Sequence, residues 1–179
     1  MGCKNIVLLG FMGSGKSTVG RLISEMLHMD YVNTDSIIEE KTGITINKIF
    51  GEKGEKYFRE VEKTVVKEVS GMNNSVIDAG GGVVINEDNL NNLRINGLLF
   101  CLNADPEEIY KRIKNHTHRP LLNVSDPLRK IKEILKKRGP YYRKAEYQID
   151  TNNRSAQDVA REIAGIYEKA FSKHDKFTG

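Results

Sequence analysis

The sequence predicts an α/β fold: a five-stranded parallel sheet with helices on both faces. Three observations predict it. Short apolar runs alternate with helix-period stretches along the whole chain, the order that builds a parallel sheet covered on both sides. The first apolar run empties into a glycine-rich loop that opens a helix. The length of 179 residues, 39% hydrophobic and 29% charged, suits one domain, residues 1–179, with a substantial core.

Residues 4–9 (KNIVLL) are near-continuously apolar, as a strand buried on both faces requires. From Lys16, the apolar residues Val19, Leu22, Ile23, Met26 and Leu27 recur at helical spacing, which predicts an amphipathic helix with all five inward. Residues 31–34 read as a short second strand. Residues 35–70 read as helical in pieces, broken near Gly43, Gly51 and Gly54, with Phe58, Val61, Val65 and Val69 on one face. Residues 75–79 (SVIDA) form a third strand ending in Gly80-Gly81-Gly82, and residues 97–102 (GLLFCL) a fourth. Asp105 suits an N-cap, Pro106 the first helical position and Glu108 the positive end of the dipole. Residues 115–125 carry no periodicity and read as a loop. Residues 125–138 are helical again, 147–150 a fifth strand, and Ser155 caps a last helix with Val159, Ile163, Ile166 and Ala170 inward.

No apolar run approaches the ~20 residues needed to span a bilayer, and the chain starts on a strand rather than a signal-like segment. The expectation is a cytoplasmic protein with no membrane partner. Cys3 and Cys101 are too few for a disulfide framework and sit in strand-like runs, which reads as buried thiols in a reducing compartment. His116 and His118 cluster, but no cysteine or carboxylate nearby completes a metal site. The 28 Lys and Arg exceed the 24 Asp and Glu by four, unevenly: residues 1–90 carry net −3 and residues 91–179 net +7. Between Lys111 and Lys144 stand 12 basic side chains against Asp126 and Glu133 alone. Such a block reads as a solvated helix face, a nucleic-acid patch or a polyphosphate site.

Gly10-Phe11-Met12-Gly13-Ser14-Gly15-Lys16-Ser17 satisfies G-x-x-x-x-G-K-[ST], after a strand and opening a helix, the context that makes this phosphate loop credible. The glycines let backbone N–H groups face a phosphate, and the helix N-terminus adds partial positive charge. The predicted nucleotide-binding set is Gly13, Ser14, Gly15, Lys16, Ser17 and Thr18. Lys16 reaches the β- and γ-phosphates and Ser17 gives its hydroxyl to Mg²⁺. The loop by itself implies a nucleotide and not a reaction, and two classes compete for it. A GTPase switch needs D-x-x-G, which Asp78-Ala79-Gly80-Gly81 supplies, and a guanine motif, for which Ser172-Lys173-His174-Asp175 has the wrong first residue. A small-molecule kinase needs an acceptor pocket and a basic lid.

Three features converge on an acceptor pocket, each with a plainer reading beside it. Asp35, at the end of the second strand, can orient or deprotonate a hydroxyl, or simply cap a helix. Arg59, in Gly54-Glu55-x-x-Phe58-Arg59, can hold an acid or belong to a solvated face. Gly80-Gly81-Gly82 lets a ligand approach the backbone, or makes a turn. Taken in order behind the phosphate loop, GFMGSGKSTVGR, Thr34-Asp35, TGITINKIFGEKGEKYFREVE, AGGG at 79–82, RPLL at 119–122 and KRGPYYR at 137–143 resemble the shikimate kinases over about residues 4–170.

The resemblance implies a nucleoside-monophosphate-kinase-like fold with a lid at about 115–125 and an acceptor-binding helical region at about 35–70. It implies ATP and shikimate as substrates, Mg²⁺ as cofactor, and no nucleic-acid partner; the chain is read as a monomer. The activity implied is transfer of the ATP γ-phosphate to the 3-hydroxyl of shikimate, in the chorismate pathway to aromatic amino acids; a same-fold kinase for another hydroxy acid such as gluconate is the alternative. By resemblance, Lys16, Asp35 and Arg119 are catalytic. Arg112, Arg119 and Arg154 join the ATP site. Asp35, Arg59, Gly80, Gly81, Gly82 and Arg138 bind the acceptor, Arg59 and Arg138 holding its carboxylate. Two positions depart from the family's usual pattern. Asn33 stands where the D-[ST]-D string has its first carboxylate, and Asp78 stands where a Ser or Thr is common. The expected metal residues are therefore Ser17 and Asp78.

Overall fold

A computed structural model describes residues 4–114 and 124–172. The elements run β1 (Asn5–Leu9), α1 (Lys16–Leu27), β2 (Asp30–Asn33), α2 (Thr34–Thr42) and α3 (Ile46–Lys48), then a wide turn (Ile49–Lys53) and α4 (Gly54–Ser70). They continue with β3 (Ser75–Asp78), a tight turn (Val83–Ile85), α5 (Glu87–Ile95), β4 (Gly97–Asn103), α6 (Pro106–Ile113), α7 (Pro127–Tyr142), β5 (Tyr147–Asp150) and α8 (Ala156–Ser172). The sheet has the order β2-β3-β1-β4-β5, with every pair parallel. Among the described residues, no helix is long and apolar enough to cross a membrane.

Side-chain alternation along β1 divides the core in two. Val7 and Leu9 join Val65, Val66, Leu90, Leu93 and Ile109 on the α4–α5–α6 face. Ile6 and Leu8 join Val19, Ile23, Val159 and Ile163 on the α1–α8 face. Both faces of the central strand are fully buried, which is why its sequence is apolar from Ile6 to Leu9. Burial of a Leu, Ile or Val side chain contributes roughly 1.5–3 kcal/mol, and both layers are held on β1 by it.

Several local expectations are corrected. Met26 is 40% exposed, because α1 turns its buried stripe through Val19, Gly20 and Ile23 instead. The expected break near Gly51 takes the form of the wide turn between α3 and α4, within which Gly51 lies. Asp105 holds the N-cap position of α6 without a side-chain capping bond. Helix α7 runs past Arg138 through Gly139 and Pro140 to Tyr142. Helix α5 was not expected at all: Asn86 caps it by accepting the Asp88 N–H at 2.9 Å, and only Leu90 and Leu93 give it an apolar edge. Of the two expected buried thiols, Cys101 is fully buried, and burial pushes its pKa to about 12; Cys3 lies outside the described residues.

Asn5 is the one polar side chain on β1, and it is 1% exposed. Its Oδ1 accepts the Ser75 N–H at 3.0 Å and its Nδ2 donates to Met72 O at 2.7 Å, so it ties the start of β1 to the start of β3. Met72 O keeps a second donor in Asn96 at 2.6 Å, whereas the Ser75 N–H would be orphaned. Asn5→Leu is therefore expected to cost about 1–3 kcal/mol, the penalty for one buried unpaired N–H, read as a lower denaturant midpoint at unchanged slope.

Candidate active site

The carboxyl ends of β1, β2 and β3, with α4, α6 and α7 alongside, surround a cavity of about 660 Å³. This is the crevice in which open parallel sheets bind ligands. Of the residues singled out in the sequence, Gly13, Gly15, Lys16, Ser17, Thr18, Asp35, Arg59, Asp78, Gly80, Gly81, Gly82, Arg112 and Arg138 all line it.

One end is built by the loop between β1 and α1. Gly13 has φ +78°, and a Cβ there would fall 2.6 Å from Ile113 Cγ2; both the turn and the closeness of α6 require glycine. Gly15 caps α1, so the helix's positive end faces the cavity. Lys16 folds back over its own loop, its Nζ donating to Gly10 O at 2.9 Å and Phe11 O at 3.3 Å. Ser14 faces the other way. It is 1% exposed, its N–H goes to Phe11 O at 3.2 Å, and its buried Oγ has no hydrogen-bond partner among the described residues. Arg112 is held across the loop by Glu108 (3.0 Å) and Thr151 O (2.7 Å), with Nη1 3.4 Å from both Gly13 O and Ser14 O.

The other end is acidic and basic together. Asp35 opens α2, and burial pushes its carboxyl above the ordinary range, against the pull of Lys16 and Arg59. Arg59 Nη1 donates to both oxygens of Glu62, at 3.0 and 2.8 Å, while Nε and Nη2 donate to Glu55 at 3.3 and 3.1 Å. Its guanidinium lies so close to Gly82 that a Cβ there would sit 2.5 Å from Nη1. Arg138 Nη1 donates to Gly81 O at 3.2 Å, and the Tyr142 hydroxyl donates to the same oxygen at 2.6 Å. Burial raises Tyr142 to about 12, with Arg138 opposing, so it remains a donor. Ile46, Phe50 and Phe58 add an apolar wall, the two rings 4.7 Å apart.

Glu62 was not singled out in the sequence, although the signal was there. It stands four residues after Phe58 and three before Val65 on the buried stripe of α4, and it is 1% exposed. A charged residue on an apolar stripe requires a buried partner. Burial raises its carboxyl, and Arg59 opposes the rise. Phe50, Tyr142 and Tyr31 were likewise missed; the phenol of Tyr31, raised by burial and by the charge of Asp78, donates to that carboxylate. Arg154 does not line the cavity. It bonds Asp150 O at 3.0 Å and Glu162 at 2.6 Å, knitting β5 to α8. Arg119 lies outside the described residues.

The Ser17 hydroxyl donates to Asp78 Oδ2 at 2.6 Å. Among the described residues no group of three or more His, Cys, Asp or Glu is placed to hold a metal ion by itself. One hydroxyl and one carboxylate are hard oxygen donors but few. That set fits Mg²⁺, which keeps several waters and takes its remaining ligands from phosphate oxygens.

A family model described as shikimate kinase matches residues 12–167. A shikimate kinase of Thermodesulfovibrio yellowstonii is 44% identical over 93% of this chain and 96% of its own. The solved shikimate kinase from Acinetobacter baumannii, in complex with shikimate, superposes with a TM-score of 0.87 at 37% identity, over 95% of this chain and 94% of that one. A gluconokinase from Sinorhizobium meliloti shares the fold at 16% identity, with a TM-score of 0.63 over 99% and 98% of the two chains. With the match spanning nearly its whole length, the chain belongs to the shikimate kinase family.

Proposed function

We propose that the protein is an ATP-dependent kinase that phosphorylates the 3-hydroxyl of shikimate. The observation that carries the reading is one cavity with a phosphate loop at one end and Arg59, Arg138 and Asp35 at the other. The distribution of charge matches the two substrates. Lys16, the loop's N–H groups and Arg112 suit a triphosphate, and two guanidinium forks suit a carboxylate. Phe50, Phe58 and Ile46 offer an apolar surface for a six-membered ring.

Phosphoryl transfer needs positioning and charge more than covalent help. Arg59 and Arg138 fix the acceptor by its carboxylate, and Asp35 receives the hydrogen bond of the attacking hydroxyl. That oxygen forms its bond to the γ-phosphorus as the bond to the β–γ bridging oxygen breaks, leaving ADP. Asp35's burial keeps its carboxylate poorly solvated and so a better proton acceptor than an exposed aspartate. Lys16 balances charge building on the transferring group. Ser17 and Asp78 would hold Mg²⁺, which when bound neutralises the phosphate oxygens. Arg119, in the stretch between α6 and α7 that we read as the lid, completes that charge, and Arg154 keeps only the role the resemblance gives it. We read the protein as acting as a monomer. The buried thiol of Cys101 fits a reducing cytoplasm.

The direct test is a coupled ADP-release assay. Shikimate is expected to support turnover at least ~10²-fold above gluconate or water, since a site built around polar groups rejects a ligand that leaves them unpaired; equal rates would remove the acceptor assignment. Arg59→Lys and Arg138→Lys keep charge but lose the fork. Each is expected to weaken shikimate binding about 10- to 100-fold, the loss of a charge-assisted hydrogen bond, with ADP affinity unchanged by calorimetry. Asp35 gives a pH-dependent prediction. Its raised carboxyl binds a proton more tightly in the folded chain than in the unfolded one, where the value is near 3.8. Stability is therefore lost as pH rises through the folded value. Asp35→Asn should melt above the parent at pH 7.5, the gap closing as pH falls toward 4, while shikimate turnover drops by at least ~10²-fold; an equal or lower melting temperature at pH 7.5 would contradict it.

A further inference from the structure

Asp78 is a charged side chain, 2% exposed, at the end of β3, and two elements besides its own reach it. From α1, Ser17 donates its hydroxyl to Oδ2 at 2.6 Å. From β2, Tyr31 donates its phenol at 2.8 Å and Asn33 its Nδ2 at 2.9 Å. All three converge on one carboxylate oxygen. A serine hydroxyl has one proton and two lone pairs. With that proton engaged in the hydrogen bond to Asp78, the oxygen has only lone pairs left to offer the cavity. That is the state a hydroxyl must be in to ligate a cation.

Asn33 bonds in two directions at once. Its Oδ1 accepts the Ser36 N–H at 2.8 Å and so caps α2, while its Nδ2 holds Asp78. Asn33 and Asp78 are also direct partners across the β2–β3 ladder. An aspartate at 33 could make the cap but not the donation, and would set two carboxylates against each other. A serine or threonine could cap but is too short to reproduce both bonds. The amide alone has an acceptor and a donor on one planar group. Tyr31 is fixed independently of Asp78. The Arg21 guanidinium lies 4.5 Å from its ring centroid, and the ring presses so close to Gly20 that a Cβ there would fall 2.9 Å from Cε2. Packing thus aims the phenol, and the phenol in turn aims the carboxylate.

We propose that Tyr31 and Asn33 are positioning residues of the metal–nucleotide site, which orient Asp78 so that, still ionised, it accepts the Ser17 hydroxyl hydrogen bond and presents serine lone pairs and carboxylate charge to a divalent cation. The inference rests on the assignment of Ser17 and Asp78 made above, and the test separates the two.

The probe is Mn²⁺, titrated by electron paramagnetic resonance onto the full-length protein saturated with ADP. Metal-free ADP binding in EDTA and shikimate binding serve as references. Tyr31→Phe keeps the ring and removes the donor. It is expected to weaken Mn²⁺ about tenfold, as loss of one hydrogen bond to a charged group predicts, and to leave metal-free ADP and shikimate affinities unchanged. Asp78→Asn is expected to weaken Mn²⁺ further, and the double variant Asn33→Asp/Asp78→Asn, which exchanges amide and carboxylate across the ladder, to recover most of it. Parent-like Mn²⁺ affinity in Tyr31→Phe alongside a weakened Asp78→Asn would overturn the inference and leave the metal assignment standing. If neither variant changes, the assignment and the inference fall together. Equal losses of Mn²⁺, metal-free ADP and shikimate in Tyr31→Phe would make the phenol a packing residue, and a double variant no better than Asp78→Asn would remove Asn33 from the site.

Discussion

The constraint on which the rest of the structure depends is the concentration of charge at one buried edge of an otherwise apolar sheet. Asp35, Glu62 and Asp78 are largely withdrawn from water within one cavity, and Lys16, Arg59 and Arg138 line the same space. Burying ionised groups is costly unless each is paired and hydrogen-bonded. The structure meets that cost with geometry: Glu62 takes two bonds from Arg59, and Asp78 takes three on one oxygen. What the pairing leaves uncompensated, as at Asp35, is offset by the continuous apolar burial along β1 and its two neighbours. The cavity carries the electrostatic cost, and the sheet beneath it carries the apolar burial that offsets it.

That division explains which features could be read from sequence. Strands such as β1 and β4 are legible because both faces are buried along residues 6–9 and 99–102 and those runs must be apolar. The phosphate loop is legible because its backbone turns demand glycine at fixed spacing. Helix α5 was not, since Asn89, Asn91 and Asn92 are poor helix formers and two leucines are a weak stripe. Its stability comes from packing on α4 and from its Asn86 cap. Arg154 was given to the nucleotide by resemblance, while its bonds to Asp150 and Glu162 place it in the β5–α8 connection.

What the sequence could not supply is the long-range pairing around the site. Asn33 and Asp78 read from the family pattern as two departures, a carboxylate shifted between neighbouring strand ends, with Asp78 expected at the metal. In the sheet they are one rung, since β3 lies between β2 and β1. No local spacing could report this: 45 residues separate the two, and strand order is set by the whole topology. Tyr31 is hidden for the same reason, an aromatic on a short strand whose hydroxyl has meaning only once β3 is alongside. Glu62 was nearer to legible, because its place on an apolar stripe follows from helical period alone.

The pairing of Arg59 also shows how a closed charge balance can still admit a ligand. The guanidinium is engaged from two sides by its own helix. Glu62 is buried and bidentate, with its side chain 2% exposed; Glu55 is 66% exposed and makes a single-oxygen contact. Exposed ion pairs contribute roughly 0–1 kcal/mol because water competes for both partners, whereas breaking a buried pair strands a charge at a cost of roughly 3–5 kcal/mol. The two carboxylates are therefore not equivalent competitors for an incoming acid. The Nη2 and Nε edge, held by Glu55, can exchange partners at little cost, and the Nη1 edge, held by Glu62, stays where it is. A guanidinium anchored on one edge and exchangeable on the other is already oriented when its ligand arrives, so little side-chain entropy remains to be lost on binding.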